Sequence, residues 1–423
     1  MCDQGEAGEA EWARVGGAGA KPFGMSDLTA VKERLAAEVD KRADVLVEAS
    51  HQIHDHPELC YEEHFAHDVL TGLLEAENID VVRHAFDLDT AFVGRAGSGD
   101  GPTIAVLCEY DALPGIGHAC GHNIIGTAGI GAGLAAAALA DELGGRVVIL
   151  GTPAEEGGGG KELLVQRGAF DGVDAAMMVH PAGADLAYMN VIAIHQMKVR
   201  YHGEAAHAAA FPHKGRNALD AAVLGYMNIA ALRQHIKPNE RIHGVITDGG
   251  DKPNIVPRFA AAEWYVRSPT LKSLARLKPR VVACLEAGAQ AAACEIEIEW
   301  QDPAYADMVD NRTMLELYIA NAQSTGRELI DPGAGGEQVV GSTDMGNVSY
   351  IVPSIHPMIK VAPAHLSIHT PEFADYTASA DGDQAVIDGA KAMAMTVADL
   401  WLQPELLAQA QAEFTRSVAE RGR

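Results

Sequence analysis

Apolar residues along this chain recur in two rhythms, a helical one and a strand one. In residues 28–52, Val31, Leu35, Val39, Val45 and Leu46, with Ile53 just beyond, fall at helical spacing behind Ser26-Asp27, which reads as a capping signal. One first helix is predicted there. The turn His54-Asp-His-Pro57 ends it, because the residue before a proline is pushed out of helical backbone, and residues 62–76 resume the helical pattern. The histidines of that turn read as solvated. Residues 79–86 and 91–95 read as two strands flanking a turn.

From 102 to 191 strand and helix alternate, which is the mark of a parallel α/β sheet. Strand 103–109 is followed by a Gly- and Ala-rich helix at 124–143, strand 147–150, a short helix at 161–166 and strand 175–179. After 191 the order changes to strand 194–203, helix 217–236, strands 242–248 and 259–266, helix 271–293 and strand 296–300. That β-α-β-β-α-β order is the ferredoxin-like split motif. Beyond about 307 the α/β pattern resumes, with a helix at 311–325, a loop at 341–344, a strand at 355–361 and a long helix at 378–400. The expected organisation is a flexible tail at 1–24, a catalytic domain formed by 25–192 and 307–423, and an inserted lid at 193–306. Two domains suit the 423 residues, because single cores stop growing near 250–300 residues.

Composition narrows the function classes. A formal charge of -26 argues against nucleic acid and anionic membrane surfaces as partners, since both repel it. The six cysteines, Cys2, Cys60, Cys108, Cys120, Cys284 and Cys294, are scattered too widely for a disulfide scaffold, so a reducing cytoplasm is the simpler compartment. Residues 124–139 form the most apolar run, but they are Gly- and Ala-rich and short for a span, so a buried helix is expected and no membrane segment. Asp3, Glu6, Glu9 and Glu11 stand where a signal peptide needs positive charge, and Met25 is a second possible start.

The candidate chemistry gathers at strand ends. Gly117-His-Ala-Cys120-Gly-His122-Asn123 follows the strand at 103–109, and a thiol and an imidazole two residues apart suit zinc or a neighbouring transition metal. Glu155-Glu156 follows the next strand and His180 the one after. Three successive strands thus deliver Cys/His, Glu/Glu and His to one edge, where open α/β sheets place their ligands. The run Gly157–Gly160 lacks the spacing of a nucleotide fingerprint and reads as backbone clearance beside Glu155 and Glu156.

These residues, in this order, resemble the co-catalytic metallopeptidase and amidohydrolase family that includes aminoacylases, hippurate hydrolase and auxin-conjugate hydrolases. The likeness runs over nearly the whole chain from about residue 28. Glu109-Tyr-Asp-Ala-Leu-Pro114, Asn123 after Cys-Gly-His, and Gly341-Ser-Thr-Asp-Met-Gly-Asn347 are similar to the aminobenzoyl-glutamate hydrolase and dipeptidase-like branch. Hippurate hydrolase-like members instead carry Asp-x-Asp before Ala-Leu-Pro and Asp after Cys-Gly-His. The resemblance implies a three-layer α/β/α catalytic domain with a ferredoxin-like lid that also dimerises.

It implies further that Cys120, His122, Glu156, His180 and His369 hold two divalent ions, Zn, Mn or Co. Two such ions polarise an amide carbonyl and acidify the water between them. Glu155 is then the general base, and Asp111 orients an imidazole from behind the ligands. His207 in the lid is the expected oxyanion donor, reaching the partner subunit's site in a homodimer, while Asn254 and Arg267 are expected substrate contacts. The leading function is hydrolysis of an amide between an acyl or aminoacyl group and an amino acid. An aminohydrolase that releases ammonia from an activated aromatic amine uses the same chemistry, and a metal-bearing binding protein is the non-catalytic alternative. The presence of both Glu155 and Glu156 speaks against that last reading.

Overall fold

The computed structural model describes residues 25–334 and 340–422, so the tail expected at 1–24 lies outside the described residues. The first part of the chain forms α1 (Met25–Asp40), α2 (Ala43–Asp55), α3 (His64–Ala76), β1 (Asp80–Arg83), β2 (Phe92–Ala96), β3 (Thr103–Cys108), α4 (His122–Leu143), β4 (Arg146–Gly151), α5 (Gly160–Gln166), β5 (Ala175–Met177), β6 (His180–Ala182) and β7 (Asn190–Val191). The middle forms β8 (Ala193–His202), α6 (Ala218–Leu232), β9 (Arg241–Asp248), β10 (Phe259–Ser268), α7 (Leu271–Ala291) and β11 (Glu295–Tyr305). The last part forms α8 (Arg312–Ser324), β12 (Val340–Gly341), α9 (Met345–Val348), β13 (Ser354–Ile355), β14 (Met358–Lys360), α10 (Pro371–Thr377), α11 (Ala380–Leu402) and α12 (Pro404–Arg421).

The main sheet runs β1-β2-β4-β3-β5-β13. Its β4, β3, β5 and β13 are parallel, while β1 and β2 are antiparallel to their neighbours. Alternation along β3 builds two cores: Ile104, Val106 and Cys108 face a layer with α1, α2, α4 and α11, while Ala105 and Leu107 face Leu164, Phe170 and Val348 on the other side. Helix α4 has the length and apolarity of a membrane span, yet 89% of its most apolar window is buried inside the protein, as expected of a core helix. The middle segment folds as a four-stranded antiparallel sheet, β11-β8-β10-β9, with its own core under α6 and α7. This is the ferredoxin-like strand order. It leaves β9 as an edge.

Four elements depart from the sequence expectation. The single helix expected at 28–52 is broken at Lys41-Arg42, where Arg42 spans the turn by bonding to Glu38 and Glu77. Helix α2 then buries Leu46, Ala49 and Ile53 and leaves Val45 exposed. No proline or glycine marks that break. The strands expected at 175–179 and 355–361 are each interrupted at the same level, while the two segments stay paired with each other. β5 pairs with β13, then β6 pairs with β14, across His356-Pro357, where the proline has no N–H for a ladder. Helix α12 had no strong apolar stripe and was not anticipated; only Leu407 and Ala410 are buried in it.

Candidate metal centre

The site lies at the carboxyl ends of β4, β3 and β5, which are neighbours in the sheet. Backbone geometry fixes its loops. Gly121, between Cys120 and His122, has φ +81°, and a Cβ there would lie 2.7 Å from Pro181 Cγ, so only glycine fits. Two non-glycine residues also sit in left-handed backbone, Ala154 before Glu155 and His369 itself. Each costs roughly 1–3 kcal/mol and persists only when its surroundings hold it. The Ala154 N–H donates to Glu63 Oε1 at 2.8 Å, and the His369 N–H donates to the Ala119 carbonyl at 2.8 Å. The second bond ties the late histidine to the Cys-Gly-His loop.

The side chains then converge. Cys120 Sγ lies 3.4 Å from His180 Nε2, and Glu156 Oε1 lies 3.5 Å from His369 Nε2 and 3.9 Å from His122 Nε2. Three overlapping trios, Cys120/His122/His180, Cys120/Glu156/His369 and His122/Glu155/Glu156, each bring their ligand atoms within 4.8 Å of one another. His122 Nε2 and Glu156 Oε1 are buried without a hydrogen-bond partner. Sulfur, imidazole and carboxylate donors that close, with orphaned atoms pointing inward, fit divalent transition-metal ions.

The outer contacts set the tautomers. His122 Nδ1 is 2.8 Å from Asp111 Oδ1 and His180 Nδ1 is 2.8 Å from the Pro181 carbonyl. Both rings thereby turn Nε2 to the site. Asp111 Oδ2 also accepts the Glu156 N–H at 2.9 Å, so one carboxylate bonds to two candidate ligand residues.

Electrostatics point the same way. Burial pushes the Cys120 thiol well up, with Glu156 adding to the effect. Burial, with His356 and His122, pushes His180 well down. Burial together with Glu109, Glu156 and Asp344 raises Glu155. Burial alone would raise Asp111 too, but His122 and the Glu156 N–H bring it down to about 2. The buried Lys161 ammonium offsets part of the repulsion among these acids, and bound cations would offset the rest.

Of the residues expected from sequence, Cys120, His122, Glu155, Glu156, His180 and His369 come together, and Asp111 stands behind His122. His207 and Asn254 do not join them within the chain. Both are exposed on the lid, where His207 Nδ1 accepts the Ala209 and Ala210 N–H groups and the Asn254 carbonyl accepts the Ala208 N–H. Arg267 is half-buried. It donates through Nη1 to Ser342 Oγ at 3.1 Å and through Nε to His243 Nε2 at 3.3 Å, in a cavity of about 990 Å³ between lid and catalytic domain. The glycine run gives clearance at three of its four positions: a Cβ at Gly158 would meet Tyr61, one at Gly159 would meet Pro303 and one at Gly160 would meet the Pro153 carbonyl, all within 2.5 Å, while Gly157 has open space.

Sequence reasoning missed the buried groups Lys161, Asp344 and His356 and gave Glu109 no role. All four are at most 1% exposed. Their one signal was position, since Lys161 closes the glycine run, and Glu109 and Asp344 sit in the two branch-specific motifs.

The comparisons with known proteins agree with this geometry. A family model described as peptidase family M20/M25/M40 matches residues 105–398. An Xaa-Arg dipeptidase of Mus musculus is 40% identical over 408 residues, covering 93% of this chain and 94% of the relative. A p-aminobenzoyl-glutamate hydrolase polypeptide of Escherichia coli K12 is 31% identical over 435 residues, covering 86% of this chain and 90% of the relative. A Bacillus subtilis structure described as a dinuclear metal-binding peptidase superposes with a TM-score of 0.64 at 21% identity, covering 88% of this chain and 99% of that one, and so supports the fold. The metal-dependent hydrolysis of amide C–N bonds expected from the residues holds for this chain. Matched by the family model over more than half its length, and by relatives over nearly all of it, the chain belongs to peptidase family M20/M25/M40.

Proposed function

We propose that the enzyme cleaves the amide between an acyl or aminoacyl group and an amino acid that keeps its free carboxylate. The observation that carries this is Arg267. No carboxylate among the described residues pairs with it, and burial lowers its pKa, so a half-buried guanidinium waits for an anion in the large cavity. Lys237, Arg241, His243 and Arg421 line the same cavity, in a chain whose net charge is -26. Asp310 is the one acid in the lining, and burial raises it to about 7. A guanidinium fork recognises a carboxylate by paired hydrogen bonds. Dipeptides ending in arginine and aminobenzoyl-glutamate, named for two relatives, both end in such a group. The cationic lining favours glutamate over arginine in the leaving position.

Cys120, His122, Glu156, His180 and His369 are the ligands we assign to two ions, with Zn, Mn and Co as the metals that suit the donors. Such ions, when bound, polarise the scissile carbonyl and acidify the attacking water. Glu155 takes the proton of that water and passes it to the departing nitrogen. Asp111 holds His122 in the tautomer that frees Nε2. We take residues 25–192 and 307–423 as the catalytic domain, 193–306 as the lid, and the cytoplasm as the compartment.

His207 completes the site from a second copy of the chain. The edge strand β9 exposes Val245 and Ile246, and α6 exposes Val223, Leu224 and Met227, apolar surface on an unpaired edge and a lid helix of the kind that a two-fold dimer buries. Asn254, beside His207, contacts the same substrate.

Chelation followed by reloading with Zn, Mn or Co tests the reading on N-acyl amino acids, aminobenzoyl-glutamate, β-alanyl dipeptides and aromatic amines. Chelation should abolish amino-acid release, and one of the metals should restore it. Ammonia release from an aromatic amine with no amide cleaved, or full activity in metal-free protein, would overturn it.

A further inference from the structure

Behind Glu155 lies a cluster of charges that the amide chemistry above does not use. The Lys161 ammonium is 2.5 Å from Glu109 Oε1 and 2.6 Å from Asp344 Oδ1, and the Lys161 backbone N–H donates to Asp344 Oδ2 at 2.8 Å. Lys161, Glu109 and Asp344 are 0% exposed. One oxygen each from Glu109, Glu155 and Asp344 lie within 4.8 Å of one another, which is the spacing of an all-oxygen cation site. The ammonium of Lys161 lies against two of these three carboxylates, Glu109 and Asp344. Glu109 also reaches forward, with Oε2 3.4 Å from His122 Nε2.

The cluster is held from both halves of the discontinuous domain. Lys161 and Glu162 lie in the first turn of α5, while Asp344 precedes α9 and Asn347 lies within it. Asn347 donates to Glu162 Oε2 at 2.7 Å and to the Ala304 carbonyl at 3.0 Å, so the later motif grips the helix that follows the glutamate pair. A buried lysine and three acids cost several kcal/mol to desolvate, and an apolar filling of the same volume packs as well. Their retention beside the proposed base therefore needs a use.

We propose that Lys161 is a positioning residue. Its ammonium clamps Glu109 and Asp344, and the fixed charge that results aims the carboxylate of Glu155 and keeps Glu109 out of the ligand set. The branch-specific Glu109 follows from this: its side chain is long enough to bond the ammonium while an oxygen remains near His122. This inference rests on Glu155 being the base of an amide hydrolase.

The test compares Lys161→Met, Asp344→Asn and the double variant with wild type in the metal-loaded dimer or monomer as it is purified. Lys161→Met should lose about 10- to 100-fold in kcat, the range for groups that support a metal site, with KM changed less than about threefold and the metal content kept. Crystal structures should show the Glu155 carboxylate displaced and the Cys120, His180 and His369 side chains in place. In the double variant, which removes one charge of each sign, thermal stability should recover while kcat stays low; a merely structural ion pair predicts that both recover together. Wild-type-like kcat in Lys161→Met, an unmoved Glu155, or recovery of kcat with stability in the double variant would overturn the proposal. Absence of amide turnover in wild type with every metal would instead overturn the functional reading, and the position of Glu155 would still decide this one.

Discussion

Replacing Asp111 by asparagine changes almost no volume and tests the arrangement at its most connected point. The carboxylate accepts from three groups: the imidazole of His122 at 2.8 Å, the Glu156 N–H at 2.9 Å and the Cys60 thiol at 3.4 Å. Asparagine has one oxygen, so its NH2 must face either His122 Nδ1 or the Glu156 N–H. Facing His122, it forces the tautomer with the proton on Nε2, the atom that the site needs free. Facing Glu156, it leaves a buried backbone N–H against another donor, at a cost of about 1–3 kcal/mol. The charge is lost in either case. Asp111 is held at about 2 against an ordinary 3.8, and that difference is worth about 2 kcal/mol of stability, present above pH ~4 and lost as the pH falls towards ~2. Metal affinity should therefore fall about 10- to 100-fold, read by competition with a chromophoric chelator, and acid unfolding should begin at higher pH than in wild type. Metal affinity within twofold of wild type, with unchanged turnover, would refute the idea that Asp111 sets the His122 tautomer.

Three further outcomes are expected. Glu155→Gln should keep its metal content, measured by elemental analysis, and lose at least ~100-fold in kcat, the scale of a missing acid/base; turnover near wild type would send the search to another base. Glu63, raised to about 7 chiefly by burial and then by Asp111, stabilises the fold fully below its unfolded value near 4.5 and loses that contribution as the pH rises through ~7. The stability gap between wild type and Glu63→Gln in urea titrations should thus shift against wild type by about 2.5 kcal/mol between pH 5 and 8, and a pH-independent gap would contradict the assignment. Finally, inactive His207→Ala and inactive Glu155→Gln chains, mixed and exchanged, should regain about a quarter of wild-type activity, because in a two-fold dimer half the molecules are mixed and each carries one intact site. No recovery in a dimer shown to exchange would confine His207 to its own chain.

The metal-ligand candidates were legible because the sheet places them: parallel strands β3, β4 and β5 end at the same edge, and Cys120, Glu156 and His180 lie in the segments that follow those ends in turn. The ferredoxin-like segment was legible for a similar reason, since its strands alternate and its helices are capped by Asn217 and Thr270. What stayed hidden depends on distance in space. Lys161 reads as a surface residue in any sequence, because lysine is almost never fully buried unless paired, and its partners Glu109 and Asp344 are 52 residues before it and 183 residues after it. The break at Lys41-Arg42 was hidden too, since it is held by Glu77 from another helix and not by a local breaker. His207 and Asn254 were found by resemblance alone. Their exposure on the lid gives no physical sign of a site within one chain.

Asn123 resolves the last departure from the hippurate hydrolase-like pattern. Its side-chain nitrogen donates to Ser50 Oγ at 2.9 Å and to the Thr377 carbonyl at 3.0 Å, and the residue is 0% exposed. Both partners are fixed: Ser50 belongs to α2, and Thr377 ends α10, the helix that begins two residues after His369. An aspartate at 123 would turn an acceptor towards the Thr377 carbonyl, which has no proton to offer, and leave the Ser50 hydroxyl as the one donor of this pair to a buried charge. The asparagine is thus a cross-link between the first turn of α4, which carries His122, and the segment that carries His369. The Cys-Gly-His loop and the late histidine are joined a second time on the near side, through the His369 N–H and the Ala119 carbonyl. With both links made, the two halves of the discontinuous domain are joined at the segments that carry the candidate ligands, His122 in the first half and His369 in the second.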